Sequence, residues 1–463
     1  MTMAELWIAM PLLLLAAGAL VVLVLGAIVP GRYGSWTAIT CCLGAALWAL
    51  QIPPVTAVPL YLATPPLVRL FTVLFCLLAA AVLLISENYN IKRDISGEEY
   101  PATILFATFG MVTVTCAASL LTLFLGLEAM TFGFYVLVAM DLRRDSSSEA
   151  GLKYLLLGAA AAGFLAFGMA LLYFATGTLT SVALLKASAG QPLALIGWGF
   201  MLIGIAFKLS LVPAHLWTPD VYQGAPAPVA AFLSGGSKAA AVLFTVLLLA
   251  AAGDGGALRL PLLMLSLASM LLGNLAALLQ QSIRRMLAYS SIAQMGYVAL
   301  ALVCGSTGGY RAALYYGVVY LLITFAAFGA ITLFERCGTA DSIAAYKGGG
   351  VREPFAAAVL ALAMFALAGI PPTAGFTGKF MIFAAALRGG ETIVAVIGIL
   401  TAAVSAYYYL RVVVNLYMVS SDSPSAGGVT LAEKVVLLVV GLLILLAGVM
   451  PTLLLDLLVI SAR

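Results

Sequence analysis

Charge is the scarcest ingredient of this chain: only 9% of its 463 residues are Asp, Glu, Lys or Arg, and there is a single histidine. Soluble domains average roughly 25% charged residues, so a water-facing fold is excluded. With 64% hydrophobic residues and a mean hydropathy of +1.15, the chain reads as an integral membrane protein. Cysteine pairs are missing as well. Cys41, Cys42, Cys76, Cys116, Cys304 and Cys337 form no C-x-x-C, which argues against the ligand spacing of zinc and iron–sulfur sites and leaves small buried hydrophobes. There is no phosphate loop: "SGGSK", ending at Lys238, and "TGKF", around Lys379, lack the G-x-x-x-x-G-K-[ST] spacing. Small residues for close helix packing explain both. His215, alone, is a poor metal ligand; it reads either as a proton relay or connecting residue, or as a plain hydrogen-bonded histidine.

What stands in place of charge is hydrophobic length. Fourteen apolar runs cover 6–28, 36–52, 66–86, 101–117, 119–140, 150–174, 194–212, 227–252, 260–280, 286–304, 311–334, 354–387, 391–417 and 432–456, and a helix of about 20 such residues crosses a hydrocarbon core of ~30 Å. The stretch 102–140 is too long for one crossing and divides near Ser119 into a helical hairpin. The expected fold is all-α: a polytopic membrane protein of about 14 transmembrane helices, with 1–463 a single transmembrane domain and no room for a soluble one. Glu5 precedes the first run, and no Lys or Arg does, so the first helix is expected to be retained and not cleaved as a signal peptide.

Basic residues near helix ends are kept on the cytoplasmic side. In alternate loops, one set holds Arg32, Lys92, Arg93, Arg143, Arg144, Lys153, Arg284, Arg285, Arg336, Lys347, Arg352 and Lys434; the other holds Arg69, Lys186, Arg259, Arg311, Arg388 and Arg463. The larger set predicts the cytoplasmic face, with both termini and the loop around Gly190 on the outer side of a bacterial inner membrane. The net charge of +4 is therefore a topology signal and implies no nucleic-acid partner.

Four basic residues remain, Lys208, Lys238, Lys379 and Arg411, all within apolar runs, joined by one acid, Glu128 in "LFLGLEAMTFGFY". A charge at a helix centre costs about 2.5 to 3.5 kcal/mol on insertion scales, so these groups need partners, water or both. A buried lysine beside a movable carboxylate can gain and lose a proton near neutral pH, which suits ion or proton handling. A static pair is the bland alternative. Lys379 could also snorkel to an interface, and Arg411, late in its run, fits snorkelling as well as function.

Backbone breaks accompany the lysines. In "GIAFKLSLVPAHLWTPDVYQGAPAP", Pro213, Pro219, Pro226, Pro228 and Gly224 predict an interruption just past Lys208, freeing carbonyls that can receive an ammonium group. The alternative is that the prolines end a helix at the interface. "LAGIPPTAGFTGKF" interrupts the twelfth run in the same way. Two interrupted helices suggest two inverted five-helix repeats: helices 4–8 (101–252) and 9–13 (260–417), with helices 7 and 12 broken, helices 1–3 (1–100) ahead of them and a last helix (432–463) after. The match is imperfect, because Lys208 precedes its prolines while Lys379 follows Pro371 and Pro372.

These segments, together with "FKLSLVPAHLWTPDVYQGAPAPVAAFLSGGSKAAA" and "RRMLAYSSIAQMGY", resemble the antiporter-like membrane subunits of respiratory complex I, bacterial NADH:quinone oxidoreductase, over roughly residues 100–417. Val221 and Tyr222 stand where the sister subunits L and M carry an Ala-His, which favours the N-type branch. The resemblance implies a proton-translocating subunit in which Glu128 and Lys208 form a coupled pair, Lys238 is the connecting lysine and Lys379 the terminal proton carrier. It implies neighbouring antiporter-like and small helical subunits as partners within the lipid bilayer. NADH, FMN, iron–sulfur clusters and quinone belong to other subunits, and no cofactor to this chain. A cation/proton antiporter subunit or a membrane subunit of a related membrane-bound hydrogenase is the alternative. A passive structural subunit leaves five interior charges unexplained.

Overall fold

The computed structural model describes residues 3–28, 33–52, 63–95, 97–179, 191–252, 256–420 and 428–460. Arg32, Lys186, Gly190 and Arg463, used in the charge argument above, lie outside the described residues. All regular structure among the described residues is helical. The principal helices are α1 (Met3–Ile28), α2 (Tyr33–Leu50), α3 (Pro65–Arg93), α4 (Glu99–Thr115), α5 (Leu120–Val138), α6 (Asp145–Thr176), α7 (Pro192–Leu209), α8 (Trp217–Gly224), α9 (Ala227–Phe232), α10 (Lys238–Ala252), α11 (Gly256–Leu278), α12 (Ile283–Val303), α13 (Thr307–Arg336), α14 (Pro354–Ala368), α15 (Ala374–Arg388), α16 (Thr392–Tyr417) and α17 (Leu431–Val449).

Among the described residues, twelve spans are long and apolar enough to cross a membrane, α9 and α10 counting together as one. Outside that number are α4, 17 residues long, and the twelfth run, which is divided between α14 and α15. The helices α9, α10, α12 and α13 form the enclosed centre. By contrast α1, α6 and α17 turn Leu, Val and Phe side chains outward, as a lipid-facing helix must.

The hairpin anticipated at Ser119 is present. Its hydroxyl accepts the Thr122 amide while Thr122 reaches back to the Ser119 amide, a capping box that starts α5. A second hairpin, α11–α12, has a connection of the same length, 279–282 against 116–119, and likewise ends on a serine cap, Ser282, which accepts the Arg285 amide. Both hairpins close through glycine. A Cβ on Gly110 would lie 2.2 Å from the Met130 nitrogen, and one on Gly273 would lie 2.6 Å from the Ala293 nitrogen, so no larger residue fits at either crossing.

The eighth run contains a feature that periodicity did not predict: Leu233–Ser237, the "LSGGS" before Lys238, forms a π-helical segment between α9 and α10. Gly235 packs against the Leu321 backbone and Gly236 against Met111, which is the close packing expected of those small residues.

Acids at the helix ends prove to be enclosed. Glu335, Asp141 and Glu433, at or near helix ends, are buried. Each meets a base. Glu335 pairs with buried Arg284 at 2.9 Å, Asp141 lies 3.6 Å from Arg93, and Glu433 pairs with Arg336.

Candidate functional site

Residue spacing brings the first cluster together. Glu128 and Thr131 lie one turn apart on α5 and so share a face. Opposite them, in the last turn of α7, the Lys208 ammonium donates to Glu128 Oε1 at 2.9 Å and to Thr131 Oγ1 at 2.6 Å. The two charged side chains are only 5% and 11% exposed, so the ion pair lies well inside the bundle.

Helix α7 stops because Ser210 adopts left-handed backbone, φ 60°, and its amide turns back to the Ala206 and Phe207 carbonyls. The last carbonyls of a helix have no partner within it. Here they find side chains. Trp217 Nε1 donates to the Phe207 carbonyl at 3.1 Å, and the Lys238 ammonium donates to the Lys208 carbonyl at 2.9 Å. Lys238 also donates to Ser210 Oγ at 2.5 Å and stands 4.7 Å above the Trp217 ring, while Ser210 and Thr218 share a hydroxyl hydrogen bond of 2.6 Å. Lys208 thus serves twice. Its side chain holds Glu128, and its backbone holds Lys238.

The second break repeats the design. Helix α14 ends where Gly369 takes φ 84° and its amide returns to the Phe365 and Ala366 carbonyls, a conformation that glycine adopts without steric cost. The freed Leu367 carbonyl accepts the Lys379 ammonium at 2.7 Å and Gln294 Nε2 at 3.3 Å, and the Ala368 carbonyl lies 3.4 Å from Lys379. Lys379 is buried, 5.4 Å from the centre of the Tyr297 ring. It does not snorkel.

In register the two breaks agree residue by residue. Lys208 and Leu367 are each penultimate in their helix, Ser210 and Gly369 are the left-handed caps, and Pro213 and Pro372 each follow three residues later. The mismatch seen in the sequence came from comparing lysines. When the accepting carbonyls are compared, the group answering to Lys379 is Lys238, supplied by the following helix in one case and by the second half of the same broken helix in the other.

His215, a candidate relay, and Arg411, weighed between snorkelling and function, stand apart. Among the described residues no hydrogen bond joins His215 to Glu128, Lys208, Lys238 or Lys379; it sits in the loop between α7 and α8, where its carbonyl accepts the Thr218 amide. Arg411 donates to the Gln280 carbonyl at 2.6 Å and lies 3.5 Å from that of Leu278. It closes the end of α11. Sequence reasoning missed Thr131, Ser210, Trp217 and Gln294. The spacing of Glu128 and Thr131 was the one readable signal.

Known proteins share this arrangement of helices. Residues 117–405 match the family model described as NADH:quinone oxidoreductase/Mrp antiporter, TM. The chain belongs to that family. It is 58% identical, over 99% of both chains, to NADH-quinone oxidoreductase subunit N of Geotalea uraniireducens. It superimposes with a TM-score of 0.84 and 34% identity on a chain of respiratory complex I from Thermus thermophilus, covering 96% of this chain and 98% of that one. A chain of a membrane-bound sulfane sulfur reductase, an archaeal respiratory membrane complex, gives a TM-score of 0.88 at 26% identity, covering 98% and 96%. Family membership accounts for the fold.

Proposed function

We propose that this chain is the N-type proton-translocating membrane subunit of a respiratory NADH:quinone oxidoreductase, embedded in a bacterial cytoplasmic membrane beside other antiporter-like subunits. NADH oxidation, flavin, iron–sulfur clusters and quinone reduction belong to other subunits. The observation that carries the reading is the chain Glu128–Lys208–Lys238, in which one residue bonds a carboxylate through its side chain and a second ammonium through its carbonyl. High identity to the Geotalea subunit along the whole chain supports it over the antiporter and hydrogenase alternatives.

The two five-run units, 101–252 and 260–417, act as inverted copies. Matching serine caps, hairpin lengths, left-handed caps and prolines support that division. In the first copy, a proton on Lys208 is balanced by Glu128. When the carboxylate withdraws, the Lys208 charge is left close to that of Lys238 in a medium where charges act strongly, and the proton is driven on. In the second copy, Lys379 waits on the carbonyls of the break and passes the proton toward the outer side.

Glu128→Gln keeps size and hydrogen bonding but deletes the balancing charge. In reconstituted, fully assembled enzyme it is expected to reduce quinone reductase activity and proton uptake severely, whereas Glu128→Asp keeps part of both. Near-normal pumping by Glu128→Gln sinks the coupled-pair mechanism, and lost assembly returns Glu128 to a structural role.

A further inference from the structure

Helix α12 runs between the two breaks and places one amide at the second. Gln294 is bonded at every polar atom: Nε2 donates to the Leu367 carbonyl at 3.3 Å and to Tyr409 Oη at 3.0 Å, and Oε1 accepts from Tyr316 Oη at 2.6 Å. A backbone carbonyl can only accept, so the amide cannot be turned around without breaking this set. Tyr409 is held in turn by Ser290. The group is fully buried.

The position of Gln294 also has a counterpart. Counted from the serine caps Ser119 and Ser282, Glu128 and Ser291 both stand nine residues on, and Thr131 and Gln294 both stand twelve residues on. In the first half the residue at position twelve bonds the Lys208 ammonium; in the second it bonds the carbonyl that the Lys379 ammonium occupies. Position nine is a carboxylate in the first half and a serine in the second. Among the described residues Lys379 has no carboxylate in ion-pairing distance. The titratable side chains around its site are Tyr297 on α12, Tyr315 and Tyr316 on α13 and Tyr409 on α16. From α17 it is backbone that faces this region, the Ala447 and Gly448 carbonyls accepting Tyr315 and Thr377.

We propose that Gln294 is a positioning residue for Lys379: it shares the Leu367 carbonyl with the lysine and keeps that carbonyl bonded when the ammonium swings away. A buried carbonyl stripped of its donor is costly. Without the amide, that cost would hold Lys379 on the break. The inference rests on the proposed role of Lys379 in proton transfer, and the tests separate the two.

Gln294→Leu removes the second donor while leaving Lys379 in place. In assembled, reconstituted enzyme, proton uptake is expected to fall roughly tenfold, the scale of one lost hydrogen bond in a moving step, with the KM values for NADH and quinone unchanged. Gln294→Glu puts a carboxylate beside the ammonium; it should hold the lysine by an ion pair and move the pumping profile to alkaline pH. Gln294→Met repeats the deletion with a flexible side chain, should Leu disturb assembly. Wild-type pumping with an unshifted pH profile in the Glu and Leu variants, or in Glu and Met, overturns the inference. Lys379→Ala is the companion measurement. If it pumps normally, the role of Lys379 fails, and if it is inactive while the Gln294 variants are normal, only the inference about Gln294 fails.

Discussion

Lys379 holds its ammonium on two backbone carbonyls and the face of Tyr297, with no ion pair among the described residues. For a lysine proposed to carry protons, that arrangement supplies acceptors for the charged form without a fixed counter-charge. Lys379→Arg tests that proposal. A guanidinium has donors for both carbonyls but does not give up its proton in a protein, so the Arg variant is expected to assemble and to lose proton uptake as Lys379→Ala does. A fully active Arg enzyme would mean that the position supplies only fixed charge. At this scale the sequence was legible where physics penalises a residue: ions in apolar runs are expensive, and Glu128, Lys208, Lys238 and Lys379 stood out for that reason. Thr131, Ser210 and Gln294 did not, because neutral polar side chains are ordinary in helices and only tertiary packing shows which of them meets a freed carbonyl or an ammonium.

Elements give the lysines their geometry. The short helix α8 carries Trp217, which covers Lys238, and α8 itself is clamped at Asp220 by Lys153 of α6 at 2.9 Å and by Arg285 of α12 at 2.6 Å. Burial alone would push the Asp220 carboxyl up, but hydrogen bonds and charge from Lys153 and Arg285 outweigh it and hold the group below its ordinary value. A depressed carboxyl stabilises fully above its unfolded pKa, about 3.9, and is lost as the pH falls through its lower folded value. The clamp is therefore complete at neutral pH and contributes no pH dependence to turnover there. Asp220→Asn should instead weaken coupling several-fold at every neutral pH, with faster hydrogen exchange confined to α8 and its flanks. Unchanged exchange in α8 would show that the clamp is dispensable. Prolines made both breaks readable beforehand, whereas the π segment at Leu233–Ser237 was hidden, since nothing in apolar periodicity separates it from the α-helix around it.

For the whole molecule, the charge census gains a geometric counterpart. Among the described residues, ion pairs at the helix ends join loops of the larger basic set to one another, as in Arg93–Asp141, Arg143–Asp94, Lys153–Asp220, Arg284–Asp341 and Arg336–Glu433. Arg259 of the smaller set pairs with Glu391, and Arg311 donates to the Leu455 carbonyl. No ion pair among them crosses from one set to the other. The loops therefore fall on two opposite faces, as alternating helices require. The excess of Lys and Arg predicts which face meets the cytoplasm, and that expectation is open to a direct experiment. In a background with the six native cysteines replaced, Leu142→Cys in the loop before α6 and Thr307→Cys at the start of α13 provide exposed thiols on the two faces. An impermeant maleimide is expected to reach Thr307→Cys from the outer side of oriented vesicles and Leu142→Cys only from the cytoplasmic side. The reverse pattern would invert the whole subunit, and it would overturn the direction of the proton transfer proposed for Lys379 along with the topology.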